Sequence, residues 1–183
     1  MNAKLTINDV EIVLGHKTLA EITYCLEDKP EHSDFFHELT KSKCSEILTS
    51  LVDKEHISKM TLRMLIENGS LEVMRAVVDS GNALSHMTRR DLETYLYTGD
   101  CEILTSLANN LNDFTETYEI CEKEWLCEKL ANHPDPAIRY ALAENTDTPE
   151  EFLEELVEDE DVDVARQAEK TLAEVREDDD IPL

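Results

Sequence analysis

The chain has 183 residues, 41% hydrophobic and 5% aromatic, with 42 acids against 17 bases and a formal net charge of −25. That is enough apolar material for a continuous core, so composition excludes a disordered chain, and so large a negative surplus argues against direct binding to DNA or RNA. Four glycines and five prolines leave few turn formers for an all-β fold, whereas the wealth of Leu, Glu and Ala favours helices.

Residues 1–20 contain no basic stretch followed by an apolar run, so no secretory leader is expected there. No window approaches the length of a membrane span. The cysteines are Cys25, Cys44, Cys101, Cys121 and Cys127, an odd number, and the simplest expectation is reduced thiols in a cytoplasmic protein. Residues 1–20 are expected to form a capping helix pair ahead of a repeat.

The repeat announces itself in a duplicated string. EILTSL stands at 46–51 and again at 102–107, with Cys44 and Cys101 just ahead of the two copies. The separation is two units of about 28 residues, and the cognate expected midway is EVMRAVV from Glu72. Similar segments begin at Glu21, Ala137 and Asp163, giving six starts at 21, 46, 72, 102, 137 and 163. A second apolar series, at Phe36, Leu62, Leu92, Leu126 and Phe152, runs out of phase and shows the same insertions. Each unit therefore reads as two short helices with apolar residues at i, i+1 and i+4. Neither helix buries its stripe alone, and stacked neighbours do. The expected fold is all-α, a right-handed superhelical α-solenoid of about six helix-pair repeats. It forms one domain over residues 1–173, followed by an acidic tail over 174–183.

Turn residues agree. Ser70, Asp100, Asp135 and Asp161 each stand two residues before a start and are good N-caps. Gly69 and Gly99 precede the first two and suit a left-handed helix end. Pro136 suits a first helical position, and Thr148-Pro-Glu-Glu reads as a capping box.

Charge is uneven along the chain. Residues 1–90 hold 14 acids and 11 bases, while residues 91–183 hold 28 acids and 6 bases, a net of −22. The helix expected from Glu150 carries Glu151, Glu154 and Glu155, with Glu158, Asp159 and Asp161 following. These carboxylates are candidates for contact with a basic partner. Carboxylates one helical turn apart lie ~5–6 Å from each other, a scale comparable with backbone phosphates. A solvated face that keeps a repeat protein soluble explains the same composition. The unit from Glu102 is about nine residues longer than its neighbours, with the excess near residues 109–118. Insertions in solenoids map to loops on one face, often the binding face. Asp113, Phe114 and Tyr118 are therefore further candidates, with the two aromatics as anchors. Trp125 follows and is expected to fold back onto the stack.

The stretch ANHPDPAIRYALAENTDTPEEFLEELVEDEDVDVARQAEKTL, residues 131–172, resembles the leucine-rich repeat variant family, a relative of the HEAT-like solenoids. The resemblance rests on Asp135, Pro136, Arg139, Ala143 and Asn145, then on Thr148, Pro149, Phe152, Leu153 and Leu156. It implies a curved stack of helices and a binding surface, with no single activity. Some members carry an iron–sulfur cluster on closely spaced N-terminal cysteines; this chain has no C-x-x-C, so the cluster is not carried over.

Chemistry is otherwise thin. Residues 159–163 begin like a calcium loop, but Val164 stands where glycine is needed and Lys170 where the bidentate glutamate is needed. His32 and His37 are five apart, Cys121 and Cys127 six apart, and neither spacing suits a metal. No phosphate loop, nucleophile elbow or HExxH is present. The expectation is a protein without catalytic, cofactor or metal site that binds another protein, one with a basic surface. It needs neither nucleic acid nor membrane. It acts as an inhibitor that imitates nucleic acid and blocks a basic nucleic-acid-binding protein or nuclease or, alternatively, as an adaptor within an assembly; an enzyme with its site in the solenoid groove ranks behind both.

Overall fold

The computed structural model describes residues 3–7, 10–27, 29–52, 54, 58–80, 87–114 and 117–179. They are helical apart from one two-stranded hairpin and the connections between elements. The chain divides into two compact units, Met1–Met87 and Thr88–Leu183.

The first unit opens with β1 (Ala3–Ile7) and β2 (Val10–Leu14), paired antiparallel with Leu5 opposite Ile12. The expected helix pair over residues 1–20 is therefore corrected. The segment is rich in β-branched residues (Thr6, Ile7, Val10, Ile12, Val13), which favour the pleated state. Lys4 Nζ and Glu11 Oε2 pair across it at 2.7 Å. Then come α1 (His16–Cys25), α2 (Ser33–Leu39), α3 (Ser45–Val52), α4 (Lys59–Asn68) and α5 (Leu71–Asp79). α1 packs on α3 and α3 on α5, while α2 and α4 form the other side of the unit.

The second unit contains α6 (Arg89–Thr98), α7 (Cys101–Asn109), α8 (Thr117–Ala131), α9 (Pro136–Glu144), α10 (Glu150–Val157) and α11 (Val162–Asp179). α7 packs on α9 and α9 on α11, with α8 against α9 and α10 against both α8 and α11. The odd-numbered helices carry the first sequence series and the even-numbered ones from α2 to α10 carry the second.

Most of these helices have eight to ten residues, shorter than the ~12–15 at which an isolated helix is even marginal in water. Packing must hold them. The repeat is visible in what each helix buries. In α5 the buried positions are Val73, Met74, Val77 and Val78; in α7 they are Ile103, Leu104, Leu107 and Ala108. α3 places Ile47, Leu48, Leu51 and Val52 in the same register. The sixth helical residue is small in α3, α5, α7 and α9 (Ser50, Ala76, Ser106, Ala141), whereas α11 carries Gln167 there.

Caps divide. Asp100 accepts from Ile103 N–H at 3.1 Å and Asp135 from Ala137 N–H at 3.0 Å. Asp161 accepts from Asp163 N–H at 2.9 Å and Val164 N–H at 3.3 Å. Ser70 stands at the start of α5 without a side-chain cap bond. Gly99 adopts the left-handed conformation at φ +60°, but Gly69 is extended at φ −71°. Space is what Gly69 provides, since a Cβ there would meet Leu65 O at 2.3 Å. Thr148 does not cap α10. It is 2% exposed and its hydroxyl donates back to Leu142 O at 2.7 Å. Residues 174–179, read as tail, continue α11.

Candidate protein-interaction surface

α10 is amphipathic: Leu153 and Leu156 are buried, while Glu151, Glu154 and Glu155 are exposed, with Glu158 exposed just beyond. Glu151, Glu155 and Glu158 stand at i, i+4 and i+7, on one face. Among the described residues no cation pairs with these three. They form the part of the predicted carboxylate array that faces water unpartnered.

The rest of the array has structural employment. Arg176, on the last turn of α11, donates from Nε to Glu150 Oε2 at 3.1 Å and from Nη2 to Glu154 Oε1. Its charge lies between two carboxylates that would otherwise repel at i, i+4, and these bonds raise its already high pKa. Asp159 is not a surface carboxylate, and its place among the contact candidates is corrected. Arg139 Nε and Nη2 donate to its two oxygens at 2.7 and 2.9 Å, and both side chains are under one-tenth exposed. Arg139 Nη1 also donates to His133 O at 2.8 Å and Pro134 O at 3.3 Å. The guanidinium thus fastens the turn before α9 to the turn before α11. The hydrogen bonds from Arg139 hold the Asp159 carboxyl below its ordinary pKa. Asp161 is occupied as the cap of α11. Glu160, absent from the predicted array, also lies in this turn, its side chain 92% exposed and its Oε1 3.8 Å from Arg139 Nη2.

The inserted segment behaves differently from expectation. A 3₁₀ turn at Leu111–Asp113 sets Leu111 and Phe114 three residues apart, and both are buried, at 0% and 5% exposure. Side chains at i and i+3 eclipse in this geometry, so one inward residue brings the other with it. Phe114 is a core residue, not an interface anchor. The side chains of Asp113 and Tyr118 lie outside the described residues. Trp125 is half-buried, with the Arg89 guanidinium 5.1 Å from its ring and Arg89 Nε donating to Glu122 Oε2 at 2.9 Å.

Cys127 is buried, which pushes its thiol up to about 12, and burial also raises Cys101. His32 Nδ1 bonds Glu27 O at 2.7 Å and His37 Nδ1 meets Thr61 Oγ1 at 3.4 Å. Among the described residues no three His, Cys, Asp or Glu side chains gather as a metal site requires, and no helix is long and apolar enough to cross a membrane.

Residues 17–100 match the profile of the PRAME N-terminal domain, a stretch running from α1 through α6. This agrees with a helical repeat without specifying its type, and it falls on the opposite part of the chain from the leucine-rich repeat variant resemblance. No curated protein matches this chain. Among solved structures, the crystal structure of an engineered protein from a structural genomics consortium is similar at 14% identity. The alignment covers 89% of this chain and 94% of that one, with a TM-score of 0.39, too loose a likeness to carry an argument.

Proposed function

We propose that the chain is a non-enzymatic protein–protein interaction module of the α-solenoid class, built from about six helix-pair repeats. In this reading its α10 carboxylates engage the basic groove of a nuclease or other nucleic-acid-binding protein and block it. The observation that carries the reading is the exposed row Glu151, Glu155 and Glu158, which no cation of the described residues neutralises. Holding like charges on one helix costs a few tenths of a kcal/mol per pair, roughly 0.2–0.5, and a cationic partner relieves that cost. The surplus of acids over residues 91–183 also speeds encounter with a basic surface. The side-by-side packing of odd-numbered helices within each unit supports the solenoid class.

A second reading, an adaptor whose acids only keep it soluble, draws support from the internal employment of Glu150, Glu154 and Asp159. One pull-down separates the two. Wild type and the Glu151→Lys, Glu155→Lys, Glu158→Lys variant are compared as baits at low and high salt, leaving the Arg176 contacts intact. A nucleic-acid-binding protein held by wild type alone and released at high salt supports mimicry. A partner held equally by both, at either salt, assigns the charge to solubility and favours the adaptor.

A further inference from the structure

The first-series register differs at one place that matters for binding. Its second helical residue is Glu46 in α3, Glu72 in α5, Glu102 in α7 and Asp163 in α11, all exposed, but in α9 it is Ala137. Beside Ala137 an open groove of about 510 Å³ runs between α9 and α11. Ala137 and Tyr140 line its α9 side, and Asp163, Arg166 and Lys170 its α11 side. Tyr140 OH donates to Gln167 Oε1 at 3.4 Å, which fixes the ring in place.

The charges of the groove are ordered along α11. Asp163 lies on the first turn and Lys170 seven residues later, a rise of ~10 Å at 1.5 Å per residue. A chain in the extended polyproline II conformation covers that distance in about three residues at ~3.1 Å each and, with three residues per turn, brings the third back to the same face. Their intrachain pairs are exposed and replaceable: Arg166 with Asp163 at 3.3 Å, Lys170 with Glu174 at 3.5 Å.

We propose that this groove binds an extended peptide segment of a partner. Its basic residue meets Asp163, an apolar residue rests on Ala137 and Tyr140, and an acidic residue three positions from the basic one meets Lys170. Charge complementarity selects this occupant. The net charge of −22 over residues 91–183 draws a cationic chain to the surface, while Arg166 and Lys170 reject a wholly cationic one inside the groove. The proposal rests on the reading of the chain as an interaction module, but on a different surface from the α10 row.

The probe is a fluorescent peptide containing Arg-Ala-Leu-Glu in neutral flanks, titrated with the full chain and followed by anisotropy. Saturable binding is expected. Ala137→Glu restores the residue type that α3, α5 and α7 carry at an exposed position, so that variant folds, as circular dichroism will verify, and it fills the groove. It should weaken binding about tenfold, the loss of one good contact. Lys170→Glu should invert the preference, so that Arg-Ala-Leu-Arg binds better than the parent peptide. The proposal is overturned if folded Ala137→Glu binds as wild type does, or if wild type takes both peptides equally. If the peptide fails while the pull-down still yields a partner, the groove is excluded and the interaction module survives.

Discussion

α5 in the first unit and α7 in the second bury the same four positions of their register, yet the units containing them are fastened by different chemistry. In the first unit a lysine closes a helix end: Lys54 Nζ donates to Tyr24 O at 2.9 Å and Leu26 O at 3.0 Å, reaching the last carbonyls of α1. In the second, the comparable work falls to a buried Arg139–Asp159 pair that joins two turns. The position Arg139 occupies is Leu48 in α3, Met74 in α5 and Leu104 in α7, all apolar. One repeat register thus tolerates either an aliphatic side chain or a guanidinium, provided every donor of the latter finds an acceptor. The contrast also explains how the second unit carries its charge. Two of its few cations, Arg139 and Arg176, hold acids that would otherwise add to the repulsion.

The sharpest way to break this comparison is Arg139→Met, which gives α9 the residue α5 already has. It leaves Asp159 buried without its partner and should cost about 3 kcal/mol or more. Trp125 is the only tryptophan and lies in the second unit, so its fluorescence in urea reads the loss there. Adding Asp159→Asn should recover most of it. The pair also predicts a pH dependence. Asp159 has a lowered pKa when folded, so its contribution is present above the unfolded carboxylate value and is lost as pH falls through the folded one. The stability difference between wild type and Asp159→Asn should therefore shrink below about pH 4. A difference constant from pH 7 to pH 3 would assign Asp159 a role other than ion pairing.

A comparably direct test of equivalence uses the duplicated string itself. Leu51 and Leu107 are both fully buried at the same register position. Leu51→Ala and Leu107→Ala should each cost about 3 kcal/mol, read by circular dichroism for the first and by Trp125 fluorescence for the second. Equal losses sharpen the equivalence of the units, while a loss in one less than half that in the other breaks it.

How much of this was legible beforehand follows from what sequence spacing encodes. Apolar residues at i, i+1 and i+4 report a helix face, so Ile47, Leu51, Ile103 and Leu107 placed their helices correctly. Long-range pairing leaves no such trace. Nothing within twenty residues of Arg139 singles out Asp159, and Arg176 reaches back to Glu150 across a turn and a whole helix. The one available signal was register. Arg139 is the charged residue in a column of Leu and Met, and Ala137 the short one in a column of acids. Phe114 misled because its neighbours in sequence are polar, although a 3₁₀ turn brings it in beside Leu111. The hairpin departs from the helical register because residues 3–14 are rich in β-branched side chains, a local signal that a repeat period extended backward from Glu21 overrides.

The two turn glycines separate conformation from space. Gly69→Ala places a methyl against Leu65 O, at 2.3 Å, and against Val73, at 3.0 Å, so α4 and α5 must shift. Gly99→Ala meets nothing within 4 Å and suffers only its positive φ. Overpacking of this kind costs about 1–3 kcal/mol, and a left-handed alanine about 1–2. Thermal unfolding should place Gly69→Ala at or below Gly99→Ala, and the reverse order would mean that the first unit yields more easily than its contacts imply.

The smallest effect expected is also the most diagnostic of how caps work in this repeat. Asp100 and Ser70 hold the same place before α7 and α5, and sequence alone ranks them alike as N-caps. Only Asp100 receives a bond from the helix it precedes, from Ile103 N–H at 3.1 Å. The hydroxyl of Ser70 instead faces that of Ser45 at 3.4 Å. Asp100→Ala should cost about 1 kcal/mol, near the usual value of a side-chain cap. Its carboxylate also favours the positive end of α7, a term that salt screens. Ser70→Ala should cost a few tenths, roughly the loss of a weak exposed contact. Urea midpoints measured at low and at high salt check both parts. If Asp100→Ala loses its effect entirely in salt, the dipole term carries the cap; if the loss persists, the hydrogen bond does. A Ser70→Ala loss as large as that of Asp100→Ala would show that the two helices begin alike after all.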